Sequence, residues 1–178
     1  MKYKNWIALF SQTGSEIVNL SLHFGRAPDT IISNAPTDKM SQLIKIDYQI
    51  NNEEAKSLDI LNDLDFNIDE TLITLNGWLR IVPPDKCNKY NIYNGHPGLI
   101  TKYPELKGKD PQQRTWDNIS NYPYMGSVIH KVVEEVDNGE VLVEKFIRTE
   151  NIKNLNAVYT TLRNTSYDAW VEFLKEHL

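Results

Sequence analysis

One cysteine, Cys87, is all that this chain of 178 residues contains. An internal disulfide and a cysteine-based zinc cluster are thereby excluded, and a reducing cytosol is the simplest setting. Basic charge is also short. Lys and Arg number 19 against 24 Asp and Glu, a formal net charge of -5, and no basic stripe interrupts that balance. Nucleic acid is therefore not expected as a partner, although a local cluster of donors can still hold a small anion. Long apolar runs are missing as well. Behind the N-terminal lysines the run is only Ile7 to Phe10, too short for a signal peptide or a membrane span, so no membrane association is expected. No repeat, low-complexity tract or linker divides the chain, and residues 1–178 are expected to form a single domain with a sizeable core.

Trp6 to Phe10 reads as a buried parallel strand, short and continuously apolar. Ser11-Gln12-Thr13-Gly14-Ser15-Glu16 is a turn, and Ile17, Leu20 and Phe24 follow at helical spacing. Strand, glycine turn and helix open a βαβ unit. Backbone N–H groups at such a helix start can hold an anion, but one glycine is neither a dinucleotide fingerprint nor a Walker loop. Further strands are expected over 30–34, 43–50, 72–75, 92–93, 127–133 and 141–147, with Asn94 to Gly98 as a polar corner after the fourth of these. Helices are expected from 51 to 64, after Pro83-Pro84, over 112–119, and as two C-terminal segments, 154–163 and 166–177. The class implied is α/β, an open, mostly parallel twisted sheet with helices on both faces.

Polar residues cluster just beyond several strand ends, where ligands bind in open parallel sheets. Asn94, His96 and Asp137 form the set with chemical potential. Asn94 offers an amide donor, His96 can exchange a proton near neutral pH, and Asp137 can orient His96 or raise its pKa. The set holds no activated nucleophile, so direct attack of an amine on a carbonyl fits better than a covalent intermediate. The alternative is a loop histidine beside a turn-forming aspartate at Asp137-Asn138-Gly139. His130 sits in a strand and reads as a core or supporting histidine. No ligand spacing among His96, His130 and Asp137 is diagnostic of a metal, and none is expected. Trp78, Leu79, Ile81 and Val82 either wall a ring pocket or belong to the core. Cys87 reads as structural or incidental. The proline-containing loop over 97–111 is longer than usual, and such loops are often functional.

Asn94-Gly95-His96-Pro97-Gly98-Leu99, Lys107-Gly108, and Gly126 to His130 followed by Asp137-Asn138-Gly139 resemble the folate-dependent formyltransferase family. Leu75 to Val82 resembles the strand and turn that line that family's folate pocket, and Ser11 to Ser15 its phosphate loop. Most of residues 6–147 is covered, in the family's order. The resemblance implies a Rossmann-like catalytic domain, 10-formyltetrahydrofolate as co-substrate and a small-molecule amine acceptor. A cytoplasmic monomer or homodimer is expected. It assigns catalysis to Asn94, His96 and Asp137, with His130 in support. Pterin binding falls to Trp78, Leu79, Arg80 and Ile81, with backbone near Glu135 and Val136. Ser11, Gly14 and Ser15 match the acceptor phosphate loop.

Two departures bear on the acceptor. Glu16 stands where ribonucleotide-specific members usually carry asparagine, and Arg163 aligns with a helix glutamate that contacts their acceptor. Glycinamide ribonucleotide is the first acceptor implied, as in purine biosynthesis. An amino-sugar nucleotide is the alternative, and a hydrolase that releases formate from the same donor needs the same trio. A binding protein without activity would not need all three residues. The chain is too short for the extra domain of transfer-RNA formyltransferases, so that acceptor is not expected.

Overall fold

The structure, a computed structural model, describes residues 2–178. In chain order its elements are β1 (Asn5–Phe10), α1 (Ser15–Phe24), β2 (Thr30–Ser33), β3 (Tyr48–Gln49), α2 (Asn52–Ser57), α3 (Ile60–Asp63), β4 (Thr71–Leu75), α4 (Pro84–Lys89), β5 (Ile92–His96), α5 (Pro111–Asp117), β6 (Tyr124–Lys131), β7 (Val141–Arg148) and α6 (Leu155–His177). The strands form one seven-stranded sheet in the order β3-β2-β1-β4-β5-β6-β7. All neighbours up to β5 pair in parallel, and β6 runs against both β5 and β7.

The expected α/β class is what forms, and burial explains why. Trp6, Ala8, Leu9 and Phe10 are wholly buried, because β1 lies mid-sheet with a layer on each face. On one face α1 and α6 bring Ile17, Leu20, Trp170, Phe173 and Leu174 against Trp6, Phe10, Leu72 and Tyr93. On the other, Ala55, Leu58, Leu61 and Cys87 cover Leu9, Ile32, Ile73 and Ile92. Each large apolar side chain so buried contributes about 1.5–3 kcal/mol. The strand order reverses at β1, with β2 on one side and β4 on the other, so the turns after β1 and β4 part to open a crevice.

Three elements differ from expectation. The strand expected over 43–50 shrinks to Tyr48–Gln49, since Ile44 is drawn over the turn after β1, where it fills the space beside Gly14. The helix expected over 51–64 breaks at Leu58, which takes a left-handed conformation (φ 52°) while wholly buried. Burial of its side chain offsets the backbone cost there. The two C-terminal helices are one, α6, of 23 residues. Thr165 does not break it, because its hydroxyl bonds Leu162 O (3.1 Å) and pairs with Ser127 Oγ (2.8 Å). Asn94 and His96 also lie within β5 and not in the loop after it.

Gly95 of β5 allows the closest approach between sheet and α6. A Cβ there would lie 2.5 Å from Trp170 Nε1. Gly95→Ala is therefore expected to cost about 1–3 kcal/mol in urea unfolding, as overpacking does elsewhere. An unchanged midpoint would mean that α6 yields freely.

Candidate active site

The pleat of β5 sorts its side chains. Tyr93 faces the α6 layer, whereas Ile92 packs on the opposite face, so Asn94 and His96 project from that second face. Antiparallel pairing sets His130 of β6 directly across from Asn94 and Val128 across from His96. The chain leaves β6, passes through Asp137, and returns to β7. Asp137 adopts φ 54°, a left-handed conformation that a non-glycine residue holds only when its surroundings fix it. Gly139, the expected turn glycine, serves another purpose: a Cβ there would lie 1.8 Å from Lys131 O.

Asp137 joins the pieces. Its Oδ2 lies 3.3 Å from His96 Nδ1 and its Oδ1 3.3 Å from His130 Nε2. Asn94 Nδ2 is 3.2 Å from His130 Nε2 and 3.5 Å from Asp137 Oδ1. The Gly108 N–H donates to Asp137 Oδ2 at 2.8 Å. Burial opposes ionisation of Asp137. His130 hydrogen bonding, the charge of His96 and the Gly108 N–H outweigh it and hold the carboxyl at about 2.

Burial pushes His96 below the ordinary imidazole value, against the pull of Asp137 and of the Leu106 carbonyl. Both its ring nitrogens face oxygens, Nδ1 the Asp137 carboxylate and Nε2 the Leu106 carbonyl at 3.0 Å. A neutral ring can donate to only one of them. His130 Nδ1 faces Lys131 O at 2.9 Å, and its Nε2 faces Asn94 Nδ2 and Asp137 Oδ1; a neutral ring with its proton on Nε2 donates to Asp137, and one with its proton on Nδ1 accepts from Asn94. Asn94, His96, His130 and Asp137, which come from separate parts of the chain, are thus one cluster, with both imidazoles buried and Asn94 and Asp137 half-buried. Among the described residues no group of three or more His, Cys, Asp or Glu is arranged to hold a metal ion.

The expected donor-side residues divide. Trp78 and Val82 join the core. Leu79, Ile81 and Val136 are exposed apolar side chains beyond the strand ends, the kind of surface a flat ring covers. Arg80 donates to Asn52 Oδ1 (2.8 Å) and to Leu79 O (3.0 Å). Glu135 accepts from Asn138 Nδ2.

The turn after β1 is already occupied by its own neighbours. Ser11 N–H donates to Gly77 O (3.1 Å), and Ser11 Oγ donates to Asn34 Oδ1 (2.7 Å) and accepts from Leu79 N (3.0 Å). Ser15 N–H is taken by Thr13 Oγ1 (3.2 Å). A Cβ on Gly14 would lie 2.3 Å from Ile44 Cδ1, so that side chain covers the glycine. Glu16 turns inward. It accepts from Asn76 Nδ2 (3.0 Å) and from Ser166 Oγ on α6 (2.8 Å), and burial raises its pKa against those bonds and the Trp170 indole. Arg163, expected beside the acceptor, is exposed; Ser166 is the α6 residue that reaches Glu16. The helix register decides this, since Ser166 lies on the buried face with Leu162 and Trp170.

Sequence reasoning missed Leu106, Gly108 and Arg114 as contributors to the site. Arg114 donates to the carbonyls of Glu105, Leu106 (3.1 Å) and Lys107 (2.8 Å), fastening the loop that meets His96 and Asp137. The Lys107-Gly108 pair is the only signal in that stretch, and nothing local marks Arg114.

The depressed Asp137 carboxyl links stability to pH. Its folded value of about 2 lies below an unfolded value of roughly 3.9. Its contribution is therefore complete above about pH 5 and disappears as pH falls through about 2, on the order of 1–2 kcal/mol after solvent screening. Asp137→Asn is expected to flatten the acid limb of stability against pH, followed by urea unfolding between about pH 2 and 6. A limb as steep as that of the parent protein would place the shift elsewhere.

Comparison with known proteins bears on the family and the fold. The family model described as formyl transferase matches residues 31–174. A phosphoribosylglycinamide formyltransferase of Dictyostelium discoideum is 30% identical over 113 residues, 58% of this chain and 53% of that protein. A methionyl-tRNA formyltransferase of Prochlorococcus marinus is 29% identical over 126 residues, 70% of this chain and 36% of that protein. The chain thus spans about half the length of the first of these relatives and about a third of the second. The crystal structure of a phosphoribosylglycinamide formyltransferase from Campylobacter jejuni superposes with a TM-score of 0.77 at 17% identity, over 99% of this chain and 97% of that one, a likeness of fold. With the family model spanning most of its length, this chain belongs to the formyl transferase family.

Proposed function

We propose that residues 1–178 act as one cytoplasmic catalytic domain. It transfers the formyl group of 10-formyltetrahydrofolate to a primary amine, with glycinamide ribonucleotide as the first acceptor and purine biosynthesis as the setting. The observation that carries this reading is the Asp137 carboxylate between His96 and His130, with Asn94 alongside. An amine lone pair attacks the formyl carbon, and the carbonyl oxygen takes up negative charge. The Asn94 amide and a His96 N–H supply the hydrogens that stabilise it. Asp137, ionised at neutral pH, receives the amine proton directly or through water. Collapse breaks the bond between the formyl carbon and N10, and that nitrogen gains the proton. Exposed Leu79, Ile81 and Val136 receive the pterin ring. The acceptor of the phosphoribosylglycinamide formyltransferase relative and the layout of the resemblance support the choice of amine.

Folate product formation from 10-formyltetrahydrofolate, measured with glycinamide ribonucleotide and without any amine, tests the reading. Amine-dependent turnover is expected. His96→Ala and Asp137→Ala should each lower kcat by about 10²–10⁴-fold while the proteins remain folded. Formate release without amine would make the protein a hydrolase, and loss of folding in both variants would make the trio structural.

An amino-sugar nucleotide is a second reading, favoured by Glu16. A carboxylate beside a phosphate costs attraction, and Ile44 covers the glycine a phosphate would approach. Glu16→Gln separates the two. If the acceptor phosphate lies at this turn, KM for glycinamide ribonucleotide should fall by about tenfold, a gain of about 1.4 kcal/mol. If Glu16 takes a hydroxyl or amino hydrogen of a sugar, KM for that acceptor should rise by a similar factor.

A further inference from the structure

Arg114 touches none of the trio, yet it holds the peptide that does. It sits on α5, and its Nη1 donates to the Glu105 carbonyl while Nη2 donates to those of Leu106 and Lys107. The Leu106 oxygen that it grips is the same atom that lies 3.0 Å from His96 Nε2. Two residues on, the Gly108 N–H donates to the Asp137 carboxylate. Between them, Lys107 Nζ reaches Asn138 Oδ1 at 2.5 Å. The stretch 105–108 therefore carries contacts to Arg114 on one side and to both His96 and Asp137 on the other. Left-handed residues mark its C-terminal end, Gly108 at φ 83° and Asp110 at φ 54°. Glycine adopts that region freely, so only Asp110 depends on its surroundings to hold it. A planar guanidinium can serve successive carbonyls in one fixed geometry; a lysine ammonium is a point charge on a flexible stem.

We propose that Arg114 is a positioning residue of this active site. By clasping the carbonyls of Glu105, Leu106 and Lys107, it sets where Leu106 and Gly108 hold the His96 ring and the Asp137 carboxylate. The inference rests on the formyl-transfer reading only for its kinetic consequence; the positioning itself is measurable without turnover.

The test uses the full chain with Arg114→Ala and Arg114→Lys. Gly108 amide exchange and the ring-nitrogen shifts of His96 are followed by NMR, and kcat and KM are taken from the formyl-transfer assay. In Arg114→Ala the Gly108 amide should exchange at least about tenfold faster while β1 amides keep their protection, and the His96 nitrogens should move. Displacement of catalytic groups by about 1 Å costs about 10²-fold, so kcat should fall by about 10- to 100-fold with donor KM within about twofold. Arg114→Lys should be intermediate in exchange and in kcat. Unchanged Gly108 exchange and His96 shifts in Arg114→Ala, with only a lower Tm, would overturn the proposal. So would an Arg114→Lys protein equal to the parent in both readouts, which also decides the matter should Arg114→Ala not fold. If the parent protein turns over none of the amines, the exchange and nitrogen shifts still decide whether Arg114 positions the site, and only the formyl-transfer reading fails.

Discussion

The carboxylate of Asp137 is the point on which the catalytic end of the molecule depends. It meets two imidazole rings, a side-chain amide and a backbone N–H that come from two strands and a loop. Taking a charged carboxylate out of water costs several kcal/mol, and only such a set of partners offsets that cost. The left-handed backbone at Asp137 belongs to the same balance, since those partners fix where its side chain must lie. In turn the carboxylate ties the 97–111 loop to β5 and β6 through Gly108. Its ionisation leaves a negative charge at the centre of the cluster at neutral pH.

A second buried polar chain runs through the other half of the crevice. Trp6 Nε1 donates to Thr74 Oγ1 (2.9 Å), Thr74 Oγ1 to Asn76 Oδ1 (2.8 Å), and Asn76 Nδ2 to Glu16. Ser166 closes it from α6. The core of the sheet is thereby connected to the first turn of α1 and to the C-terminal helix. The two halves differ in kind. The donor side keeps apolar side chains open to solvent, whereas the turn after β1 engages its donors with its own neighbours.

Much of the fold was legible in the residues themselves. β1 is short and apolar from Trp6 to Phe10, and β4 is apolar but for its threonines, and runs of that kind are stable only when buried on both faces. Asn94 and His96 were legible by residue type, but not that they share one face of a strand, because β5 runs on through them to His96. The breaks were not. Leu58 is no helix terminator by composition, and only the core that encloses it compensates its left-handed backbone. Thr165 gave no sign of lying mid-helix, since its hydroxyl is satisfied by Ser127 of β6. Arg163 and Ser166 differ by less than one turn, and only packing of α6 on the sheet decides which of them faces Glu16.

Local pattern determined the α/β class, the family, and the three residue types of the candidate site, because hydrophobic period, turn chemistry and motif are properties of neighbours along the chain. Tertiary structure alone decided that Asp137 would stand between His96 and His130, that Leu106 would cap His96, and that Arg114 would hold Leu106 there. It also decided that Glu16 would face inward against α6. Those contacts span from 8 to 150 positions of sequence. They follow from strand order, register and the side from which each loop returns to the sheet, none of which is encoded within a single segment.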